Sequence, residues 1–234
     1  MTVGNNYDKK KIAESISDLW ERLSDEQRAY LVQEIEIHVF RKNEIIYCED
    51  EKPRFLMCLL SGKVKVYKDG VGHRNQIVRT INDMSFFGYR AAFAGENYHT
   101  GAAAIENSTI CMIPIPVICQ LIKNNNDLAV FFIRQLAKIL GEADALTVNL
   151  TQKHIRGRLA ESLISLKDKY GVEEDGSTLS IYLSREDMAC MSNMTTSNAI
   201  RTLSAFASEH LIAIDGRKIK IIRDKELRQI STQG

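Results

Sequence analysis

The sequence has almost no net charge: 31 Lys and Arg stand against 30 Asp and Glu, a balance of +1. The chain-wide basic field typical of a nucleic-acid binder is absent, so any such surface must be a local patch. Cysteine is sparse. The five, at 48, 58, 111, 119 and 190, are odd in number and lack C-x-x-C spacing. That pattern gives no support to a disulfide framework, a zinc ribbon or a cysteine-ligated cluster, and the five read as buried, reduced thiols. Long apolar runs are missing too. The longest uncharged stretch, 107–122, is too short for a membrane-spanning helix and holds Pro114 and Pro116. No apolar core follows the polar start at 1–11, so no secretory signal is read there. These absences predict a cytoplasmic protein with no membrane partner. No repeat, P-loop, G-x-G-x-x-G fingerprint or Ser-His-Asp set is present. His38, His73 and His99 are scattered without the H-x-H pair that a metal-dependent cupin would need. The expectation is no enzyme, no catalytic residue and no metal.

What is present is an ordinary globular composition, 44% hydrophobic and 26% charged, over about one and a half typical domain lengths. Residues 8–33 read as helical through Ile12, Ile16, Leu19, Leu23, Tyr30 and Leu31, with a capping box at Ser24-Asp25-Glu26-Gln27 that divides two short helices. From Ile35 to about Pro116 the period becomes that of strands, as in Glu34 to Val39 and Gly62 to Tyr67, punctuated by Gly and Asn. Many short strands with turn signals predict a sandwich or barrel. A helix follows from Asp127 to about Lys153. Its Phe132, Leu136, Ile139, Ala143, Leu146 and Leu150 alternate by four and three, a heptad seam that favours a partner helix, most simply a second copy of the chain.

The last third is a separate module. A helix over Ile155–Lys169 and an acid-rich turn over Gly171–Ser177 precede a short alternating strand at Leu179–Leu183. Ser184 caps a helix reaching about Met191, Ser192-Asn193-Met194 makes a tight turn, and a second helix runs from near Thr195 to about His210. A hairpin around Asp215-Gly216 closes the module. Strand, helix, turn, helix and hairpin make a winged helix-turn-helix, whose second helix enters the DNA major groove. Thr195, Thr196, Ser197, Asn198 and Arg201 would meet the DNA, while Ala199, Ile200, Leu203 and Phe206 form the apolar face. Asn198 has the groups to read adenine and Arg201 those to read guanine, while Thr195 and Ser197 suit phosphate oxygens. Between Arg201 and Arg228, seven cations (Arg201, Arg217, Lys218, Lys220, Arg223, Lys225, Arg228) face four carboxylates, a net +3. Lys153, Arg156 and Arg158 form a second basic group; both groups suit backbone phosphates.

Four segments in order resemble the CRP/FNR superfamily of bacterial transcription regulators across nearly the whole chain. Phe40–Tyr67 is similar to its opening strands, and Phe86-Phe87-Gly88-Tyr89-Arg90-Ala91 through Gly95 to Ile113-Pro114 to its phosphate-binding cassette. Ile155-Arg156-Gly157-Arg158-Leu159-Ala160 resembles the signature after the dimer helix, and Leu183–Ile222 the winged helix. The resemblance implies an α+β chain: an antiparallel, jelly-roll-like β-roll sensor at 1–126, a dimerisation helix at 127–153 and a winged helix-turn-helix at 154–234. It also implies double-stranded DNA with a two-fold symmetric operator, a homodimer, and RNA polymerase as partners. By family position Arg185 and Arg217 would contact phosphate, and Arg156 would sit at the hinge.

The departures concern the ligand and the operator. Members that bind cyclic AMP carry Gly-Glu-Leu where this chain has Gly88-Tyr89-Arg90, and Arg-Ser where it has His99-Thr100. The missing Glu would accept the ribose hydroxyl, and His cannot replace the bidentate Arg fork on the cyclic phosphate. The family's adenine-contacting Thr-Ser pair falls near Ala143 and Asp144. Cyclic AMP is thus not the expected effector. Gly88, Tyr89, Arg90, His99, Thr100, Ala143 and Asp144 remain the candidate pocket; the effector is unidentified, or the regulator is constitutively active without one. No cysteine precedes Cys48, so the clustered N-terminal ligands of the oxygen-sensing members are absent. For haem, His73, His99, Met57 and Met84 are available, with no spacing that singles out a pair. The alternative reading is a regulatory ligand-binding subunit, or a haem or gas sensor, of the same fold. Where well-known members read operators with an Arg-Glu pair and a later Arg, this chain has Thr196 and Ser197 and keeps Arg201.

Overall fold

The computed structural model describes residues 2–3, 7–70 and 75–233. The elements run β1 (Thr2–Val3), α1 (Lys9–Ser15), α2 (Ser17–Trp20), α3 (Asp25–Glu34), β2 (Glu36–Phe40), β3 (Ile45–Tyr47), β4 (Phe55–Ser61), β5 (Val64–Lys68), β6 (Gln76–Ile81), β7 (Phe86–Phe87), α4 (Arg90–Ala94), β8 (Gly101–Ala104) and β9 (Ser108–Pro114). They continue as α5 (Ile115–Lys123), α6 (Asn126–Gln152), α7 (Ile155–Tyr170), α8 (Arg185–Met191), α9 (Thr196–Ser208), β10 (Ile212–Asp215), β11 (Lys218–Ile221) and α10 (Asp224–Gln233). The chain forms two compact units, Met1–Asp69 with Arg79–Gly141 and Gly70–Val78 with Glu142–Gly234, and α6 crosses from one to the other after Gly141.

In the first unit, sheets ordered β1-β2-β9-β4-β7 and β3-β8-β5-β6 form the β-roll. Strand alternation puts Phe40, Met57, Leu59, Val64, Val66, Ile110 and Met112 into a shared interior. Leu56, Cys58, Cys111 and Ile113, on the opposite face of β4 and β9, pack with α1, α3, α5 and the start of α6. Gly62 turns β4 into β5 at φ 100°, where a Cβ would lie 2.4 Å from Ser108 Oγ and 2.6 Å from the Asn107 carbonyl oxygen. The capping box is formed as predicted: Gln27 N–H donates to Ser24 Oγ, and the Ser24 N–H donates to Gln27 Oε1. The region before it holds two helical pieces rather than one, because the chain breaks at Ile16, with ψ 64°. The thiols are all free, but Cys48 and Cys119 are exposed, so only Cys58 and Cys111 fit the buried expectation fully. Burial pushes the Cys111 thiol up to about 12 and raises that of Cys58 as well, which keeps both protonated.

In the second unit, α10 packs against α7. The strand expected over 179–183 is not a ladder: Leu179, Ile181 and Leu183 are buried at alternate positions, but only isolated bridges form, Val172 with Leu179 and Thr178 with Lys220. Burial of every second side chain needs an extended backbone, not a neighbouring strand. Among the described residues no helix is long and apolar enough to cross a membrane.

Candidate nucleic-acid interface and effector pocket

The helix-turn-helix is built by local capping. Ser184 Oγ accepts from the Asp187 N–H to start α8, and Thr195 Oγ1 accepts from the Asn198 N–H to start α9. Between them Asn193 takes a left-handed φ of 47°, as its position in the turn requires. Arg158 on α7 holds this turn from beneath. Its Nε donates to the Ser192 carbonyl at 2.9 Å, Nη2 to Asn193 at 3.1 Å and Nη1 to Lys153 at 3.0 Å. Ser192 is fully buried and its Oγ donates to Ser162 Oγ at 2.8 Å.

On α9, Ala199, Leu203 and Phe206 face inward as expected. Thr195, Thr196, Ser197, Arg201 and Ser204 are exposed. Ile200 departs from its assignment to the apolar face: it is 46% exposed and shares the outer surface with Arg201. Asn198 is half-buried, and its Oδ1 accepts from Arg201 Nη2 at 2.5 Å. In β10 and β11, Asp215 pairs with Lys218, so Gly216 and Arg217 are the two wing-tip residues. Arg185 Nη2 donates to the Gly216 carbonyl at 2.6 Å, which ties the start of α8 to the tip, and Arg217 is exposed.

The basic surface is narrower than the count of seven cations against four carboxylates. Lys218 pairs with Glu173 and Lys220 with Asp175, both in the turn after α7, while Arg228 pairs with Asp168 and Asp224. Hydrogen bonds from Thr178 and Ser177 hold the Asp175 carboxyl well below the usual range, so it stays charged beside Lys220. Among the described residues Arg217, Arg223 and Lys225 have no ion pair, and Arg201 has Asn198. The second basic group is also engaged within the chain. Lys153 binds Glu161 at 2.9 Å and Ser231 at 3.3 Å; Arg156 forks onto Glu209 at the end of α9 and lies 4.8 Å from the Phe206 ring centre. The hydrogen bond from Arg156 also lowers the Glu209 carboxyl pKa. Tertiary neighbours engage all three cations, which a count along the sequence could not reveal.

The expected effector residues in the β-roll differ in burial and in partners. Gly88 has φ 79°, and a Cβ there would lie 2.3 Å from Met57 Cε. Tyr89 is 1% exposed and packs edge-on against Phe93 and Phe132 at 5.5 and 5.4 Å. Burial pushes its phenol up to about 12, so it belongs to the core and not to a polar lining. Arg90 and His99 do converge, on a residue the sequence reading missed. Arg90 Nη1 lies 2.6 Å from Glu96 Oε1, and His99 Nε2 lies 3.5 Å from Glu96 Oε2. The available signal was a carboxylate just after the helix-ending Gly95 and three residues before His99. Thr100 hydrogen-bonds to Tyr47, which stacks on Tyr98 at 3.9 Å. Ala143 and Asp144 are exposed on α6. Of the haem candidates, Met57 is buried, Met84 and His99 are exposed, and His73 lies outside the described residues.

The predicted seam on α6 is corrected at its start. Phe132 is 2% exposed within a single chain, enclosed by Phe86, Tyr89, Phe93 and Phe131, so it has no surface left for a partner. Leu136 and Ile139 pack partly against the same cluster. Ala143 is exposed, and Leu146 and Leu150 are half-buried. The apolar side chains left outside are Val130, Ile133, Leu140 and Val148, at 43%, 63%, 64% and 49% exposure. Ile133 and Leu140 lie one position on from Phe132 and Ile139, and of the six predicted seam residues only Phe132 is buried within the chain.

Comparison with known proteins agrees with this architecture. Residues 37–125 match the cyclic nucleotide-binding domain family, and residues 157–230 the Crp-like helix-turn-helix domain family. A global nitrogen regulator of Nostoc is 24% identical over 190 residues, covering 79% of this chain and 84% of that protein. A CRP-like cAMP-activated global transcriptional regulator of Mycobacterium tuberculosis is 21% identical over 199 residues, covering 85% and 88%. The solved structure of FixK2 from Bradyrhizobium japonicum superposes with a TM-score of 0.76 at 21% identity, over 84% of this chain and 96% of that one. With both family matches in order along one chain, and with full-length relatives of the same build, the chain belongs to the CRP/FNR superfamily, whose members are transcription regulators and not enzymes.

Proposed function

We propose that the chain is a homodimeric, sequence-specific DNA-binding regulator. It inserts the N-terminal half of α9 into successive major grooves of a two-fold symmetric operator, and works with RNA polymerase in the cytoplasm. The observation that carries this reading is the outer face of α9, where Thr196, Ser197 and Arg201 stand exposed and free of ion pairs among the described residues. Arg217 at the wing tip is free to meet phosphate, and Arg185 steadies that tip. A second copy is the occupant proposed for the exposed Ile133 and Leu140 face, since two large apolar side chains exposed on one long helix suit a symmetric apolar contact. The sensor is not a cyclic AMP site in this reading. Tyr89 is turned into the core, and Glu96 already neutralises Arg90, the cation nearest the cassette turn. Selection of fragmented genomic DNA by the purified protein, with and without cyclic AMP, tests this. An inverted repeat with half-sites one DNA turn apart, about 34 Å, is expected in both arms. Enrichment only with cyclic AMP would refute the ligand reading, and salt-sensitive binding without any preferred sequence would refute the operator reading.

A further inference from the structure

We infer that Ile200 is a specificity-determining residue that reads the 5-methyl group of a thymine beside a guanine read by Arg201. The inference rests on the placement of α9 in the major groove proposed above. At 3.6 residues per turn, Thr196, Ser197, Ile200, Arg201 and Ser204 cover an arc of about 140° on one side of α9, and all five are exposed. The inward side is complete without Ile200, since Ala199, Leu203 and Phe206 are at most 1% exposed. The unit's core therefore does not require an isoleucine at 200. Its branched side chain stands next to Arg201, on the surface that would face the base edges. In the major groove the thymine methyl is the one apolar feature a base presents.

Its neighbours narrow the reading further. Asn198 Oδ1 accepts from Arg201 Nη2, which holds the two side chains together as a pair in which the Arg201 guanidinium offers its remaining N–H donors. Guanine, with acceptors at N7 and O6, matches the donors of the Arg201 guanidinium. Asn198 thereby positions Arg201. Each half-site should carry a thymine adjacent to that guanine.

The test uses the full-length protein and the operator obtained by selection. Each half-site thymine is replaced in turn by deoxyuridine, which removes only the methyl group, and affinity is read by fluorescence anisotropy. One position should weaken binding about fourfold per half-site, the scale of one buried methyl group. Ile200→Ala should abolish the difference between thymine and deoxyuridine there while leaving the guanine preference intact. Insensitivity of the wild type to every deoxyuridine replacement would overturn the inference, as would sensitivity that persists in Ile200→Ala. Absence of any preferred sequence in the selection is a separate result, which strikes the operator reading itself.

Discussion

Arg158 separates two accounts of the basic residues around the start of α7. As a phosphate contact it would contribute to DNA affinity and nothing to stability. The structure gives it three carbonyl acceptors within 3.1 Å, two of them in the turn between α8 and α9. Hydrogen bonds from a charged donor contribute about 1.5–3 kcal/mol each in favourable cases, and a buried carbonyl left without a partner costs about 1–3 kcal/mol. The bonds share one guanidinium and one geometry, so their sum is not additive, and Arg158→Ala is expected to cost the second unit about 3–4 kcal/mol. With a urea m-value of about 2 kcal/mol/M, the unfolding midpoint of that unit should fall by about 1.5–2 M. Arg158→Lys should recover little, because an ammonium cannot span three carbonyls with a planar fork. The readout is urea denaturation followed by far-UV circular dichroism, together with the salt dependence of operator binding. A staple leaves the slope of log K against log salt unchanged, whereas loss of one phosphate contact reduces it by about 0.9. An unchanged midpoint with a reduced slope would refute the structural role.

Four further outcomes are expected. Leu140→Asp should leave the fold intact, since the side chain is 64% exposed, but raise the dimer dissociation constant at least about 30-fold by removing two symmetric apolar contacts, as sedimentation equilibrium would show. Phe132→Ala should instead destabilise the first unit by about 3–5 kcal/mol, read by thermal denaturation, because the ring is buried among four aromatics. Glu96→Ala should cost at most about 1 kcal/mol as an exposed pair, and should let inorganic phosphate raise the melting temperature by binding the released Arg90 and His99, which it does not do in the wild type. The second unit should lose stability in acid. Burial opposes the charge of Glu161, but hydrogen bonds from Ser231 and Lys153 outweigh it and lower its pKa; a hydrogen bond from Lys167, seconded by Arg228, lowers that of Asp224. Carboxyls depressed in the folded state stabilise it above their unfolded value of about 4 and lose that contribution as pH falls through the folded value. The urea midpoint should therefore drop below about pH 4, and less steeply in Glu161→Gln.

Local chemistry was legible along the chain. The Ser24 capping box, the Ser184 and Thr195 caps, the left-handed Asn193, the hairpin at Gly216 and the bounds of α6 to within a residue or two all depend on neighbours a few positions away. The order of a β-rich unit, a long helix and a winged helix-turn-helix followed from changes of hydrophobic period, which register burial without needing to know what covers each face. The helix α10 was overlooked because 224–233 is polar enough to read as a solvated tail; its Leu227 is buried where α10 packs on α7.

Partner identity was not local. Lys153, Arg156 and Arg158 look like a phosphate patch in sequence, and their acceptors lie up to 78, 53 and 35 residues away. Glu96 stands between Arg90 and His99 only because Gly95 ends α4 with a left-handed turn. The heptad stripe of α6 is buried within the chain only at Phe132, and a period of 3.5 does not say whether the covering surface is a second chain or the β-roll of the same one. Phe132 went to the β-roll, and Ile133 and Leu140 were left outside. In the same way Ile200 carries an apolar side chain at helical spacing from the core and still faces out. Sequence determined the caps, the turns and the bounds of the long helix, because capping and periodicity act over a few bonds. Tertiary packing decided which charges and apolar faces remained available for DNA, effector or partner, because those are settled by whichever groups arrive from distant segments.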